Sequence, residues 1–292
     1  MSAEPLIEKS IPVRKLNTSW IEAGERGRPV LFFCHGFPDS AHVWDHQIRG
    51  LQSHFHIIAP FVRGCENSEP GNNVARYGRD AIVLDHLAIL NEVTNGDEPV
   101  ICIGHDLGVV HAMTLVRRLG DRARGLVVIN GMDLEMFARR LRDPKQVARS
   151  WYMGLMQLPM IPEILANYAP HTGAWLAKAL AGGELVATDV IGFDRRSVAP
   201  LNQYRAFARE MATIDEHQAR IRPAVLAIWG RDDGVLVPPT QHEWDLAALN
   251  VTIRIIPGGH WLHRDKGEIV TGFISDFCQA CLGDTVPEAT HA

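Results

Sequence analysis

The chain has 292 residues, of which 46% are hydrophobic and 22% are charged, proportions that are typical of a folded globular protein. At this length, one large α/β domain, with or without an insertion, is expected. A net charge of −5 at pH 7 and a pI near 6.3 exclude the strongly basic surface of a nucleic-acid-binding protein.

The N-terminal residues and the cysteines bear on cellular location. Residues 1–9 include no apolar stretch like that of a signal peptide, and no apolar run of the chain reaches the ~18 residues that a membrane span needs. Two of the five cysteines, Cys34 and Cys102, lie in apolar strand-like runs, where cysteine behaves as a small hydrophobic residue. We therefore expect a cytoplasmic protein without membrane insertion.

Short apolar runs alternate with helix-like stretches through the first 130 residues. Residues 11–23 predict an edge hairpin, and continuous apolar runs predict buried strands at 30–34, 56–60, from 100 onward, and at 125–130. Apolar residues at helical spacing predict helices near 43–51, 77–92 and 109–119. Alternating strands and helices indicate a mostly parallel, doubly wound sheet with helices on both faces.

The alternation stops between residues 132 and 218, where helix-like pieces are separated by prolines. This segment predicts an all-helical cap inserted into an α/β core made of residues 1–131 and 219–292. The alternation resumes with strands at 224–230 and 251–256 and helices near 240–249 and 266–282. The tail at 283–292 is expected to be disordered.

One buried strand ends in Gly104-His105-Asp106-Leu107-Gly108, directly before a helix. This is the nucleophile elbow G-x-S-x-G of α/β hydrolases, with aspartate in place of serine. A carboxylate is already ionised at pH 7 and needs no base for its first attack. Its attack on an sp³ carbon with a leaving group gives an ester, which water can cleave, whereas serine would give a stable ether. The residue type therefore favours alkyl transfer over acyl transfer.

Asp233 and His260 each follow one of the two C-terminal strands, at the edge of the sheet where ligand sites lie. The chain order Asp106, Asp233, His260 is that of nucleophile, acid and base in α/β hydrolases. We predict that His260, held by Asp233, activates the water that cleaves the ester. Asp232 competes for the acid role, although the Gly-x-x-Asp spacing favours Asp233. His263 competes for the base role and is expected to be an outer or surface residue.

The turn His35-Gly36-Phe37-Pro38 follows the first buried strand and faces the elbow in this fold. The backbone N–H groups of Phe37 and Leu107 are predicted to form an oxyanion hole for ester hydrolysis. Because this role uses the backbone, it constrains the side chains only weakly.

These motifs, taken together, resemble the α/β-hydrolase-fold epoxide hydrolases over nearly the whole chain. The resemblance covers His-Gly-x-Pro, Gly-x-Asp-x-Gly, a helical cap, Gly-x-x-Asp and Gly-His-Trp. Enzymes of this kind bind the epoxide oxygen with two cap tyrosines. Tyr152, in a Ser-Trp-Tyr context, and Tyr204, in an Asn-x-Tyr-Arg context, resemble those two. A phenol suits the role because it donates one hydrogen bond from a rigid ring; Tyr168 is expected in the cap core.

The resemblance implies that Asp106 opens an epoxide, that water then releases a vicinal diol, and that no metal or cofactor is required. A small apolar epoxide and water are the expected ligands, with Trp151, Phe37 and Pro38 in the substrate pocket. The cap supplies further apolar side chains for that pocket, namely Met153, Leu155, Met156, Trp175 and Phe193. Whether the chain forms a homodimer is left open.

Two dehalogenase families belong to the same aspartate-nucleophile branch. Haloacetate dehalogenases place arginines just after the nucleophile, where this chain has Leu107, Val109 and Val110. Haloalkane dehalogenases use a tryptophan at the position of Leu107 as a halide donor. Many epoxide hydrolases also have that tryptophan, but epoxide opening does not depend on its N–H. A third alternative is a non-catalytic binding protein, in which Asp106→Asn would leave ligand binding unchanged.

Overall fold

The computed structural model describes residues 6–168, 201–214 and 218–283. Its eight described strands are β1 (Ile7–Val13), β2 (Leu16–Ala23), β3 (Val30–Cys34), β4 (His56–Pro60), β5 (Val100–His105), β6 (Ala123–Ile129), β7 (Ala224–Gly230) and β8 (Val251–Ile256). They form one sheet in the order β1-β2-β4-β3-β5-β6-β7-β8. β2 is antiparallel to both of its neighbours, and the pairs from β4–β3 to β7–β8 are parallel. The predicted mostly parallel α/β sheet is confirmed.

Helices connect these strands and cover the sheet. The described α-helices are α1 (Asp45–Leu51), α2 (Arg79–Val93), α3 (Gly108–Leu119), α4 (Leu134–Arg140), α5 (Pro144–Arg149), α6 (Trp151–Gln157), α7 (Ile161–Tyr168), α8 (Asn202–Met211), α9 (Gln241–Ala247), α10 (Leu262–Asp265) and α11 (Gly267–Leu282). Strands β3, β4 and β5 are buried along their whole length, because helices cover both faces of the parallel part of the sheet. Apolar side chains accordingly form two buried clusters.

Two predicted elements differ from the structure in ways that have a physical reason. The edge hairpin begins at Ile7 rather than at residue 11, because the first residues of β1 are mostly exposed and so give no apolar pattern. Arg14 and Lys15 form its two-residue turn, with φ values of +50° and +69°. The strand predicted at 125–130 ends at Ile129, and Asn130 leaves it with a φ of +40°.

The described part of the predicted cap, residues 132–168 and 201–214, contains helices α4 to α8 and no strand. Asp133 caps α4, because its carboxylate accepts the Met136 N–H over 2.9 Å. α8 packs against both α4 and α6. Trp175, Phe193 and the tail after Gly283 lie outside the described residues, and the boundaries of the cap remain a prediction.

The carboxyl ends of the parallel strands β3, β5, β6, β7 and β8 meet at one edge of the sheet, as parallel pairing requires. The turns predicted to carry the functional side chains all follow these strands. Within the described ranges, every helix is too short or too polar to cross a membrane.

Candidate active site

Asp106 lies in the sharp turn between β5 and α3, with a φ of +51°. This left-handed conformation is uncommon for a residue that has a Cβ, and its surroundings leave no space for larger neighbours. A Cβ at Gly108 would lie 2.1 Å from the Cys34 carbonyl oxygen, and a Cβ at Gly36 would lie 2.5 Å from the Asp106 Cβ. The strand, turn and helix of the predicted elbow are therefore present.

The two oxygens of the Asp106 carboxylate have different partners. The Phe37 N–H donates to Oδ1 over 3.1 Å, and the backbone N–H of Leu107, the next residue, helps to lower the pKa of the carboxylate. Oδ2 lies 3.5 Å from Nε2 of His260. Burial raises the pKa of Asp106, but its contact with His260 and the hydrogen bond from Leu107 outweigh burial and lower the pKa below its ordinary value. Asp106 is thus an ionised carboxylate that accepts a hydrogen bond from Phe37, one of the two predicted oxyanion donors.

His260 follows β8 and lies between two carboxylates. Its Nδ1 is 3.0 Å from Oδ2 of Asp233. Because an ionised carboxylate only accepts, Nδ1 carries a proton and donates it, while Nε2 faces Asp106. Burial lowers the pKa of His260, but the negative charges of Asp233 and Asp106 raise it to about 10. The imidazole is therefore positively charged at neutral pH as long as Asp106 keeps its own charge.

Asp233 follows β7 and is 2% exposed, whereas Asp232 is exposed. Its Oδ1 accepts the N–H groups of Val235 and Leu236, over 2.7 and 2.9 Å. Burial raises the pKa of Asp233, but the charge and the hydrogen bond of His260 outweigh burial and lower it. The structure thus brings Asp233, and not Asp232, to the imidazole.

Asn130 belongs to the same group, although the sequence pattern did not indicate a role for it. Its Nδ2 donates to Oδ2 of Asp233 over 2.6 Å, and its Oδ1 accepts the Gly230 N–H over 3.3 Å. The available signal was its position: a polar residue that directly ends the apolar run of β6. Using that signal requires knowing that β6 pairs with β7, the strand that precedes Asp233.

Tyr152 on α6 and Tyr204 on α8 form the cap side of the site. Their rings meet edge to face with centroids 5.9 Å apart, and both side chains are buried. Tyr204 also packs edge-on against Phe37, with centroids 5.1 Å apart. Burial raises the pKa of both phenols, and the negative charge of Asp106 raises it further. Both hydroxyls therefore stay protonated and can donate.

Comparison with known proteins shows the family of the chain. A family model described as the alpha/beta hydrolase fold matches residues 29–266. The chain belongs to the α/β-hydrolase fold family. This α/β hydrolase is 27% identical over 279 residues to epoxide hydrolase 4 of Mus musculus, covering 90% of this chain and 76% of that protein.

Two further proteins are matched over nearly their whole length. Epoxide hydrolase A of Mycobacterium tuberculosis is 26% identical to this α/β hydrolase over 321 residues, covering 92% of this chain and 96% of that protein. The crystal structure of a Bacillus megaterium epoxide hydrolase in complex with an inhibitor matches with a TM-score of 0.77 and 23% identity. That match covers 93% of this chain and 100% of the other, and it shows a shared fold.

The residues predicted for the substrate pocket of this α/β hydrolase differ in their exposure. Phe37 is buried beside Tyr204, and Pro38, joined to Phe37 by a cis peptide bond, is partly exposed. The Trp151 side chain is 56% exposed, so it does not belong to the buried cluster around the two cap tyrosines. A place for Trp151 in the pocket stays a prediction.

His263 was expected to be an outer residue of the site or a surface residue, and only the surface position is wrong. It is fully buried, with its ring against those of Trp44 and His105 at centroid separations of 4.5 and 4.2 Å. The reason is that α10 begins two residues after His260 and turns its next residues into the core.

One group among the described residues could hold a metal ion. The candidate ligand atoms of Asp39, His105 and His263 lie within 4.8 Å of one another, and all three residues are buried. His105 already contacts the carbonyl oxygen of His260, so the group lies on the backbone side of that residue. The Nε2 atom of His260, which faces Asp106, lies on the other side of that residue. We therefore assign no metal-dependent step to Asp39, His105 and His263.

Proposed function

We propose that this α/β hydrolase opens an epoxide and releases a vicinal diol through a covalent ester on Asp106. The observation that carries the proposal is a buried carboxylate held by the Phe37 N–H, with two buried phenols beside the ring of that same Phe37. A hydrolase that acts on acyl groups requires neither feature, because its nucleophile is a hydroxyl that a base must activate. The epoxide hydrolases among the relatives support the same substrate class.

The first half-reaction forms the ester. Because Oδ1 of Asp106 is held by the Phe37 N–H, the oxygen that attacks an epoxide carbon is Oδ2, which lies 3.5 Å from Nε2 of His260. The carbon–oxygen bond of the ring breaks, and its electron pair goes to the epoxide oxygen. Tyr152 or Tyr204 donates a proton to that oxygen, which is far more basic than a phenolate. Two donors at the position where charge develops stabilise the transition state.

The second half-reaction cleaves the ester. An ester has no charge, so alkylation removes one of the two negative charges that raise the pKa of His260. The imidazole can then release its proton, through solvent, to the phenolate and become a base. It takes a proton from water, and the hydroxide attacks the ester carbonyl carbon. The oxyanion forms at Oδ1, on the N–H groups of Phe37 and Leu107, and its collapse releases the diol and the Asp106 carboxylate.

The surroundings of the tyrosines support a small apolar epoxide. Tyr152, Tyr204, Phe37 and Met156 belong to one buried apolar cluster. An epoxide carries little polarity outside its ring oxygen, so a cluster of this kind suits the remainder of the molecule.

A single-turnover experiment in water labelled with heavy oxygen tests the covalent route. A panel of styrene-type, aliphatic and terpene epoxides, with chiral analysis of the diols, first identifies a substrate. With enzyme in excess, the ester route places the labelled oxygen in Asp106, and the first diol released carries no label. Labelled diol in the first turnover would contradict the ester route. Asp106→Asn is the matched control and should form no adduct.

The same experiment separates the two alternatives. Release of halide from a haloalkane or a haloacetate, without diol from any epoxide, would establish a dehalogenase. Leu107 offers no side-chain N–H to a halide, so we expect no such release. Binding of epoxides without turnover by the wild-type protein would establish a binding protein instead.

A further inference from the structure

Two buried side chains outside the Asp106, Asp233, His260 group hold the dipeptide His260-Trp261. His105 Nε2 lies 3.0 Å from the His260 carbonyl oxygen, and Trp261 Nε1 donates to Oδ2 of Asp39 over 3.0 Å. Because a carbonyl oxygen only accepts, His105 carries a proton on Nε2 and donates it. Both side chains are at least 95% buried, with exposures of 0% for His105 and 5% for Asp39, so water does not compete for these bonds.

These contacts connect the three turns that carry the reacting groups. Asp39 lies two residues after Phe37, whose N–H is an oxyanion donor. His105 directly precedes Asp106. Each contact therefore begins on a different turn and ends on the turn of His260. A shift of the His260 turn would change the position of the imidazole relative to both the ester and the oxyanion donors.

We propose that Asp39 and His105 are positioning residues for ester hydrolysis, because they fix the backbone that carries the imidazole of His260. The inference rests on the proposed function, since it concerns its second half-reaction. Asp233 fixes the position of one ring nitrogen of His260. A single bond to the ring does not fix the position of the His260 backbone. The bonds to the His260 carbonyl and to the indole of Trp261 fix the position of that backbone.

The two half-reactions should respond differently when these bonds are lost. Alkylation uses Asp106 and the cap tyrosines, and it does not depend on the exact position of His260. Hydrolysis requires His260, a water molecule and the ester carbonyl in line. A misplacement of about 1 Å in such an arrangement costs a rate on the order of 100-fold. A merely structural role would instead slow both half-reactions together.

Rapid-quench mass spectrometry of the intact protein measures the two rates in variants of the Asp39–Trp261 bond. Asp39→Leu and Trp261→Phe each remove that bond. We expect alkylation within about threefold of wild type and ester cleavage slower by about 10- to 100-fold, so that the ester accumulates. Asp39→Asn keeps an acceptor oxygen and should restore cleavage. Asp39→Leu also removes the 3.6 Å contact of Asp39 with Nδ1 of His105. The double variant should therefore be no slower than Asp39→Leu alone, because Trp261→Phe removes only a bond that Asp39→Leu has already removed.

His105 is tested in the same way. His105→Leu removes the donor to the His260 carbonyl, whereas His105→Gln retains an amide N–H of similar reach. Slow ester cleavage in the first variant and restoration in the second are expected. Equal slowing of alkylation and cleavage in the leucine variants, or no restoration by the amide variants, would overturn the proposal.

Trp20→Phe is the matched control. Trp20 is also buried, and its Nε1 donates to Oε2 of Glu22 over 3.1 Å. It lies on β2, away from the three turns, so its loss should leave both half-reactions unchanged. Slowed ester cleavage in this variant would mean that any lost buried indole bond has the effect, and would count against the proposal.

A measurement without substrate keeps this inference separable from the proposed function. The proton between His260 Nδ1 and Asp233 gives a downfield NMR resonance that reports the placement of the ring. Asp39→Leu and His105→Leu should shift or broaden it, and Trp20→Phe should not. An unchanged resonance in both leucine variants would overturn the positioning role. If the wild type opened no epoxide, the proposed function would fail, and this measurement would still decide the inference.

Discussion

The two halves of the site are held in place by different forces. The core half, Asp106, Asp233 and His260, lies on turns after parallel strands and is fixed by charge and hydrogen bonds, such as the 3.0 Å contact between His260 and Asp233. The cap half, Tyr152 and Tyr204, lies on two packed helices and is fixed by ring contacts, with centroids 5.9 Å apart.

Burial has opposite consequences in the two halves. In the core half, burial disfavours the charges of both carboxylates and of the imidazole, and their mutual attraction must outweigh it. In the cap half, burial raises the pKa of both phenols and so preserves the protonated form that donates. The core half therefore depends on each of its partners, whereas the cap half needs mainly an apolar environment.

Removal of both cap hydroxyls should have the largest effect. Tyr152→Phe combined with Tyr204→Phe preserves the ring packing and removes both donors to the epoxide oxygen. Since one such donor contributes roughly 100-fold or more, alkylation should slow by at least about 10⁴-fold in the double variant. Rapid-quench mass spectrometry of the adduct measures this rate. Tyr77→Phe, a buried tyrosine that bonds to Gly71, is the control and should alkylate normally; normal alkylation in the double variant would refute the assignment.

Removal of the core base should stop the reaction at a later point. His260→Gln lacks the base for water, and general base catalysis contributes about 10² to 10⁴ in rate, so turnover should fall by that factor. The ester should accumulate and be visible in the mass of the intact protein. His260→Gln combined with Asp106→Asn should show no adduct. Absence of adduct in His260→Gln, while wild type consumes the substrate, would contradict the two-step route.

Asn130→Gly tests the support of the core half with a smaller change. Glycine accepts the φ of +40° at this position, so the substitution removes the 2.6 Å bond to Asp233 and the 3.3 Å bond from the Gly230 N–H without backbone strain. Asp233 keeps its two backbone donors, Val235 and Leu236. We expect ester cleavage to slow by about tenfold, the equivalent of one buried hydrogen bond. Alkylation should be unchanged. Slower alkylation with normal ester cleavage would contradict the assignment of Asn130 to the support of His260 and Asp233.

The core half could be predicted from the sequence because its residues follow strands that the apolar runs already mark. Asp106, Asp233 and His260 each stand directly after such a run, and parallel pairing brings strand ends to one edge. The role of Asn130 does not follow from the sequence, because its partner depends on which strands are neighbours. That order, with β6 beside β7, is a property of the sheet that local pattern does not state.

The roles of Tyr152 and Tyr204 in the cap half could be predicted only from the resemblance to a family, and the structure shows why. Helical spacing places Tyr152 and the neighbouring Trp151 on α6 without saying which side faces the core. In the structure the tyrosine is 6% exposed and the tryptophan 56% exposed, because α6 packs on α8. The contacts of Asp39 and His105 with the turn of His260 were equally out of reach, since each joins residues more than 150 positions apart.

The pH dependence of the two half-reactions should also distinguish the two halves, with a smaller change in rate than any of the substitutions above. The raised pKa of Tyr152 and Tyr204 keeps their donating form on the alkaline side, and the lowered pKa of Asp106 keeps the nucleophile ionised on the acid side. The value of kcat/KM, which reports groups of the free enzyme, should therefore vary by less than about twofold between about pH 5 and about pH 9.

Ester decay should behave differently, because it requires neutral His260. The pKa of that imidazole is about 10 in the free protein and falls when the ester removes the charge of Asp106, so decay should accelerate as pH rises toward that lowered value and then level off. Single-turnover measurements of adduct formation and decay across this range separate the two profiles. A fall of kcat/KM on the alkaline side below about pH 9 would mean that a cap phenol ionises there. Burial would then not protect the cap half, and the contrast between the halves would be wrong.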